Sequence, residues 1–424
     1  MRFFSLNNKR SIESLNSSDS TSDHSKFLEI IIYVLFLLGP LTGNIINVLF
    51  HVLSLEFQVS YDNILVAIPS FMFPFAITQL FSGSISDIKG RIPVLQIGLM
   101  LFGFAMILAA LSISIEMYAI ANILGGIGFG FINPVLIALM TDIAPPPDIP
   151  KKMGYLGASA ALGVGLGPFI ASQMIMIGWR SIYILFIIIT FSCLLYFFFV
   201  KQPPPKIWKK SVIKDLLRQL SIEWRRPVVL LMILSVFLIA HGYIAVNIWT
   251  SKAIAGIIDE SITGFILGLA GVGGALMGYL TGIIIKKRDV SIPLLIGTAI
   301  EIASLIILLL IGDITRSEVF IIFAVAWIMV GLSGGILFPT ITYYSQVLSP
   351  KRRGALAGSL TAGYFIGIAL VPTTLAPFSY MLGITGVYLA ILILSLIFIF
   401  VVIMLYTLAK KSIEESKHSH KSNI

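Results

Sequence analysis

Residues 180–200 read RSIYILFIIITFSCLLYFFFV, and after Arg180 this stretch contains no charged side chain. A helix needs roughly 20 mostly apolar residues to cross the hydrocarbon core of a bilayer, so the stretch predicts a membrane-spanning helix. The rest of the chain has the same character, because 57% of its 424 residues are hydrophobic and only 12% are charged. So few charges cannot solvate a globular surface, and the composition indicates a chain surrounded mostly by lipid.

Eleven further apolar runs of similar length lie on either side of this stretch. They are too long for strands and lack period-two alternation, and backbone groups in lipid must be satisfied within a helix or a closed barrel. The sequence therefore predicts an all-α polytopic membrane protein with twelve transmembrane helices, numbered one to twelve in chain order. The predicted spans lie at about 27–50, 63–86, 92–113, 117–141, 153–177, 180–200, 227–250, 262–285, 291–312, 317–345, 354–379 and 384–409.

The Lys and Arg residues predict the orientation of these helices. With the N-terminus placed inside, 26 of the 29 basic residues fall in inside segments, and only Arg180, Lys252 and Arg316 fall outside. Basic residues accumulate in the cytoplasmic loops of membrane proteins. We therefore expect a multi-pass protein of the cell membrane with both termini in the cytoplasm.

The chain is expected to divide into two bundles joined by a basic linker. The serine-rich N-terminus has no apolar core of signal-peptide length, so it is interpreted as a disordered tail. Within the linker, Ser211–Leu220 is predicted to form a short amphipathic helix on the anionic inner leaflet. The predicted segments are the tail 1–26, the first six-helix bundle 27–200, the linker 201–226, the second six-helix bundle 227–409 and the tail 410–424.

A glycine and proline pattern repeats between the two halves. Positions in helices four and five recur in helices ten and eleven, 204 or 205 residues later. Equal spacing in two places predicts that the halves are two copies of one unit. The matching positions are Gly154, Gly163 and Pro168 with Gly358, Gly367 and Pro372, and Gly130 and Pro134 with Gly335 and Pro339.

Several classes of function are excluded by composition and spacing. The formal charge of +9 could suggest a nucleic-acid partner, but the basic residues sit in short clusters between apolar runs. Cys193 is the single cysteine, so no intrachain disulfide forms, and no Cys/His cluster has metal-ligand spacing. We therefore expect no nucleic-acid partner, no metal, no cofactor and no catalytic residues.

The loop after helix two reads GSISDIKGR over residues 83–91. This resembles the G-x-L-x-D-R-x-G-R/K loop of the major facilitator superfamily, and GWRSIY at residues 178–183 is also similar to that family. The resemblance implies two six-helix halves with a solute site between them near the midplane.

The same resemblance implies a latch that closes the cytoplasmic side. Arg91 is expected to pair with Asp142, and Asp87 to face the start of helix eleven near Gly354, where the helix dipole favours a negative charge. A plain cluster of loop charges is the alternative interpretation. The predicted latch residues are Gly83, Asp87, Gly90, Arg91 and Asp142.

Helix five carries small residues that resemble the glycine-proline motif of the family's proton-coupled exporters. Small residues let two membrane helices approach closely, and generic tight packing is therefore the alternative explanation. The predicted motif residues are Gly154, Gly163, Gly167 and Pro168. One departure favours import over export, because Asn122 occupies the helix-four position where exporters often carry an arginine.

Two ionisable residues fall at mid-membrane depth, where such groups are expensive and often functional. In this family, helices one, four, seven and ten line the cavity, so His241 is expected to face it. Glu301 lies on peripheral helix nine, where we expect it to be protonated and hydrogen-bonded to a neighbouring helix, with a role as coupling acid as one hypothesis. The predicted cavity residues are Asn44, Asn47, Asn122, Asn133, His241, Tyr243, Asn247 and Trp327.

The sequence thus predicts a secondary transporter that moves small amphipathic solutes by alternating access. Proton-coupled efflux is the first hypothesis, and import or facilitated passage of a neutral metabolite is the second. A membrane-embedded enzyme or a receptor is the third, but the mid-membrane acid and base do not cluster and a receptor needs no repeated halves. The expected partners are a small-molecule substrate, a proton and the lipid bilayer, and the protein is expected to be a monomer.

Overall fold

The computed structural model describes residues 26–200, 218, 221–285, 291–312, 319–348 and 353–421, and these residues form helices and short connections without any strand. The N-terminal tail up to residue 25 and the amphipathic helix expected at Ser211–Leu220 lie outside the described residues, apart from Arg218.

Six helices form the first half of the chain. Helix α1 runs longer than predicted, because it continues past a one-residue break and past His51, whose half-buried ring contacts Tyr61. The helices are α1 (Lys26–Asn44 and Ile46–Phe57), α2 (Tyr61–Lys89), α3 (Arg91–Ala110), α4 (Ile115–Ile143), α5 (Ile149–Met174) and α6 (Arg180–Phe199).

The second half begins with α7, in which one π-helical segment, Ala240–Ile244, interrupts the α-helical pattern. Its last two helices follow each other without a loop and are separated only by the non-helical residues Leu382 and Gly383. The helices are α7 (Pro227–Ile254), α8 (Glu260–Ile284), α9 (Ser291–Ile311), α10 (Phe320–Leu348), α11 (353–381) and α12 (384–421).

By length and composition, eleven of the described helices can cross a membrane. The last of them, Leu356–Leu408, is 53 residues long and contains the break at Gly383, whose φ of +61° suits only a glycine comfortably. It therefore comprises two spans. The prediction of an all-α fold with twelve transmembrane helices is confirmed.

The helices alternate in direction, so the bundle has two distinct ends. We call the end that carries Lys89, Arg91, Lys151 and Lys152 the basic end. The opposite end includes the connections at 58–60, 111–114, 175–179 and 255–259. Three of these connections lead into a helix through a side-chain cap, because Ser60, Ser114 and Asp259 each accept a backbone N–H two or three residues ahead.

Packing joins helices within each half and also across the halves. In the first half α4 packs against α2 and α3, and α3 packs against α6; in the second, α10 packs against α8 and α9. The two most extensive contacts between the halves are α5 against α8 and α2 against α11, where the rings of Phe75 and Phe365 meet edge to face at 4.5 Å. Cys193 is buried on α6 and forms no disulfide.

Candidate functional site

A compact charge cluster lies at the basic end of the first half. Arg91 is 8% exposed, and its Nη2 lies 2.6 Å from Asp87 Oδ1, while its Nε donates to Asp142 Oδ2 at 3.0 Å. Its Nη1 donates to the hydroxyl of Ser86 at 2.6 Å, a contact that the sequence did not indicate. A planar guanidinium with five donors suits several acceptors at once. Arg91 therefore joins the ends of α2 and α4 to the start of α3.

The backbone of the loop explains its glycines. Gly90 has a φ of +96° between α2 and α3, a region that other residues rarely adopt. Gly83 faces α4, where an added Cβ would lie 4.0 Å from Pro134. The expected contact of Asp87 with the start of α11 involves residues 349–355, whose side chains the structure does not describe. That half of the latch therefore stays a prediction.

The glycine-proline motif of α5 lies against α1. A Cβ added at Gly163 would lie 2.5 Å from the carbonyl oxygen of Leu37, and one added at Gly167 would lie 2.4 Å from that of Leu41. Backbone therefore touches backbone along this face, and Pro168 follows directly within the helix. Gly154 differs from the other motif residues, because an added Cβ there would meet nothing within 4 Å.

A second face of α5, which the sequence did not single out, packs against α8 of the other half. A Cβ added at Gly271 would lie 2.3 Å from Gly165 Cα, so the two backbones touch at this crossing. Ser172 and Gly264 lie seven residues from Gly165 and Gly271, in the direction of the opposite end. A Cβ added at Gly264 would lie 2.1 Å from Ser172 Oγ. Two turns of helix separate these contacts, so they lie on one continuous face.

The same face is open towards the basic end. Gly154 and Gly282 lie eleven residues from the crossing, about three turns along each helix on the same side. An added Cβ at either position would meet nothing within 4 Å. Helices α5 and α8 therefore cross tightly near the middle, stay in contact towards the opposite end, and diverge towards the basic end.

Polar contacts across the halves also close the opposite end. Lys252 of α7 donates to Asp62 of α2, and the Tyr61 hydroxyl donates to the Ala255 carbonyl at 3.3 Å. The ring of His51 reaches the same hydroxyl, with its Nδ1 3.0 Å away. In the sequence, Lys252 stood out only as an exception to the charge bias. Its pairing with Asp62, 190 residues away, could not be read from the sequence.

Of the four asparagines expected in a cavity of the first half, three are partly buried and Asn47 is buried. The amides of Asn44 and Asn122 donate to carbonyl oxygens of their own helices, at 2.7 Å to Pro40 and 2.8 Å to Tyr118. Asn133 is half-buried on α4. Asn47 is 4% exposed, and its side-chain oxygen has no hydrogen-bond partner in the described chain, as is also true of the Tyr33 hydroxyl on the same helix.

Two residues expected in the cavity of the second half lie instead in its interior. Trp327 is fully buried, and its Nε1 donates to Asn247 Oδ1 at 2.8 Å. The ring of Tyr243 packs directly on Gly334 of α10. In this conformation each of Trp327 and Asn247 satisfies a polar group of the other inside the bundle, and their place at a cavity surface stays a prediction.

His241 lies between α7 and α11 and is 1% exposed. Its ring stacks on Phe237 with centroids 4.3 Å apart, and its Nδ1 lies 3.0 Å from the Phe237 carbonyl oxygen. A carbonyl oxygen can only accept, so Nδ1 carries a hydrogen. The other nitrogen, Nε2, lies 2.9 Å from the Thr374 hydroxyl. In this conformation both nitrogens have protein partners, and the ring does not face a cavity.

Glu301 lies on α9 and reaches three other helices. It is 3% exposed, its Oε2 accepts from Ser333 of α10 at 3.1 Å, and its Oε1 lies 2.6 Å from the hydroxyl of Ser395 on α12. A Cβ added at Gly242, inside the π-helical segment of α7, would lie 2.2 Å from Oε1. The acid is hydrogen-bonded to neighbouring helices, as expected, but its carboxyl touches the backbone of α7 rather than the periphery.

The described residues contain no group of three or more His, Cys, Asp or Glu that could hold a metal ion. The polar side chains that they bring together lie at three levels. One is the mid-membrane level of the second half, around Glu301, and the other two are the charge clusters at the two ends. A bundle that is closed at one end and diverges at the other is the arrangement of a carrier that exposes a solute site to one side at a time.

Comparison with known proteins agrees with this class. A family model described as Major Facilitator Superfamily matches residues 32–372 and, in an overlapping second match, residues 253–423. The chain belongs to the Major Facilitator Superfamily, and it is a secondary active transmembrane transporter of small organic solutes.

Among curated proteins, Multidrug resistance protein 2 of Bacillus subtilis is 24% identical over 310 residues, which cover 67% of this chain and 72% of the relative. Quinolone resistance protein NorA of Staphylococcus aureus is 29% identical over 110 residues, which cover 25% of this chain and 28% of the relative. Among solved structures, the xylose transporter XylE from E. coli in an inward open conformation gives a TM-score of 0.71 at 14% identity, over 90% of this chain and 95% of that one. The nucleoside transporter NupG gives a TM-score of 0.73 at 12% identity, over 89% of this chain and 100% of that one.

Proposed function

We propose that this protein exports small amphipathic compounds from the cell in exchange for protons. The chain belongs to a transporter superfamily, and relatives named for multidrug and quinolone resistance support efflux as the direction. The membrane interior of the described chain carries no fixed cations that would bind a phosphate ester or a dicarboxylate, which favours weakly polar solutes.

The observation that carries alternating access is the contact between α5 and α8. Gly165 and Gly271 touch at the crossing, and Ser172 meets Gly264 towards the opposite end. The equivalent positions towards the basic end face open space. Rocking of one half against the other about this crossing would close the basic end and open the opposite end.

The distribution of basic residues supports placing the basic end in the cytoplasm of a cell membrane, with both termini on that side. The structure then corresponds to a carrier open to the cytoplasm, ready to receive a solute from within. We propose that residues 27–200 and 227–409 move as two bodies in a monomer. In the opposite state, Asp87, Arg91 and Asp142 would hold the cytoplasmic side shut through the start of α11.

The solute site is proposed to lie between α1, α4, α7 and α10. The half-buried asparagines Asn44, Asn122 and Asn133 and the unsatisfied oxygen of Asn47 are the polar groups that a solute would meet in the first half. Replacing Asn47 with Leu tests this, because the variant should alter the apparent affinity for solutes without preventing membrane insertion. A variant with unchanged affinity for every compound that the wild type moves would exclude Asn47 from the site.

Flux in everted membrane vesicles tests the function as a whole. A panel of lipophilic cations and neutral amphipathic compounds should accumulate inside such vesicles when their interior is acidified. Accumulation should stop when a protonophore collapses the gradient. Solute movement that follows its own concentration gradient and ignores the proton gradient would refute proton-coupled export, and would support the facilitator hypothesis.

A further inference from the structure

Two serine hydroxyls make three hydrogen-bond contacts around Glu301, so an ionised carboxylate leaves one of the three contacts without a hydrogen. The Ser395 hydroxyl lies 2.6 Å from Glu301 Oε1 and 3.0 Å from the carbonyl oxygen of Ile391, one turn back on its own helix. A serine has a single hydroxyl hydrogen, and the carbonyl can only accept. A protonated Glu301 satisfies both contacts at once, because it donates to Ser395 and Ser395 then donates to Ile391, whereas an ionised Glu301 takes the Ser395 hydrogen and leaves the contact with Ile391 without one.

The surroundings of the carboxyl are otherwise uncharged. Ser333 of α10 and Ser395 of α12 are the polar side chains that face it, and α7 presents the bare backbone of Gly242. The titratable neighbours on α7 point elsewhere, because His241 bonds with Phe237 and Thr374 across to α11 and Tyr243 packs on α10. A buried carboxylate without a cation is strongly disfavoured, so the neutral acid suits this packing.

The contact with α7 falls at the one π-helical segment of that helix in the described chain. Single π-helical turns inside α-helices occur frequently at functional sites. A Cβ at position 242 would lie 2.2 Å from Oε1, so any larger residue there would push the carboxyl away from α7. The carboxyl of a supporting helix therefore lies directly against a helix that is expected to line the solute path.

From this geometry we infer that Glu301 is the proton-binding site of the second half, lying outside the solute path and acting through the π-helical segment of α7. The inference rests on the proposed function and names its coupling site. Proton binding converts the Glu301 carboxylate to a carboxylic acid that donates to Ser395. Proton loss leaves a charge that needs water or both serine hydroxyls, which favours an arrangement with α7 displaced from the carboxyl.

The coupling has a definite direction. The packed arrangement seen here, open at the basic end, is the one that holds the neutral acid. Release of the proton on that side would destabilise this packing, and rebinding of a proton from the other side would restore it. A ligand shifts such an equilibrium only by its differential affinity for the two states. For the proton, this difference in affinity comes from Glu301, which binds a proton more tightly in the packed arrangement than in the arrangement with α7 displaced.

Glu301→Gln tests the inference, because an amide keeps the shape of the neutral acid and can donate to Ser395. Solute counterflow down a solute gradient should continue in proteoliposomes, whereas accumulation driven by a proton gradient should fall to the level measured without the gradient. Ser304→Ala is the matched control, since Ser304 is a buried hydroxyl on the same helix that bonds only to Ala326 of α10. That variant should accumulate solute as the wild type does.

The outcomes separate the two levels of the proposal. If the wild type itself shows no accumulation driven by the proton gradient, the proposed function fails. If the wild type accumulates solute and Glu301→Gln does so equally well, the assignment of Glu301 is overturned and the proposed function stands. A second measurement does not require transport: infrared difference spectra of the purified protein during a pH titration should show a protonated carboxyl band that is lost in Glu301→Gln. An identical band in the variant also overturns the assignment.

Discussion

Gly271→Ala is expected to shift the conformational equilibrium of this transporter. The added methyl carbon would lie 2.3 Å from Gly165 Cα at the crossing of α5 and α8. Carbon atoms in contact need about 3.5–4.0 Å, so the two backbones would have to separate by at least about 1.2 Å. Separation is hardest in the state described here, in which the two helices touch from the crossing to the opposite end.

The size of the shift follows from the cost of overpacking. Inserting a methyl group into a tightly packed contact typically costs about 1–3 kcal/mol. A bias of that size changes the ratio of two conformations by about 5- to 150-fold. The variant should therefore lose much of the population that is open at the basic end. Gly282→Ala makes the same chemical change on the same face, three turns away, where nothing lies within 4 Å.

Spin labels at positions 155 and 279 would measure the effect, since Tyr155 and Tyr279 are exposed on the diverging parts of α5 and α8. Double electron–electron resonance should show a shorter label distance in Gly271→Ala than in the unsubstituted background. In Gly282→Ala the distance should stay the same or become longer. If both glycine variants shift in the same direction, or neither shifts, the α5–α8 crossing does not control alternating access.

Three further predictions concern the charged groups at the ends. Asp142→Asn removes the negative charge that pairs with the buried Arg91 guanidinium and should lower stability by about 1–3 kcal/mol; an unchanged melting temperature in detergent would contradict this. Reversing the charge of either Asp62 or Lys252 should slow efflux, because it weakens closure of the opposite end, and reversing both charges should restore the rate. A doubly reversed variant that is as slow as the single ones would show that the pair does not act across the halves. Asp259 caps α8, and hydrogen bonds from the following hydroxyl and backbone hold the pKa of its carboxyl below the usual value. Asp259→Ala should cost about 1 kcal/mol at neutral pH, and the difference in melting temperature should shrink as the pH falls through that lowered pKa, so a difference independent of pH would contradict the cap.

The membrane spans could be predicted from the sequence because lipid imposes both a minimum length and an internal hydrogen-bond requirement on each helix. The pairing of Arg91 with Asp142 was also expected, through the resemblance of residues 83–91 to a family loop. These features depend on local composition or on a short motif. They do not depend on knowing which face of a helix meets which neighbour.

The faces of the helices were not predictable in the same way. In a membrane bundle, lipid-facing and core-facing side chains are both apolar, so periodicity does not distinguish them. Trp327 and Asn247 were therefore assigned to a cavity by helix number, although they bond to each other inside the bundle. Ser333 and Ser395 are ordinary small residues in sequence, and only their distance from Glu301 reveals them. The π-helical segment has no sequence signature, since Ala240–Ile244 contains neither proline nor an unusual charge.

The buried cysteine of α6 makes this chain a convenient reporter of its own motions. Cys193 is the only thiol in the protein and is 8% exposed. A thiol shielded from water reacts slowly with alkylating dyes and spin labels. Cysteines introduced at chosen surface positions can therefore be modified selectively in the otherwise native sequence, without first removing and compensating for natural ones. Distances and accessibility measured in this way then refer to a protein that differs from the wild type only at the labelled positions.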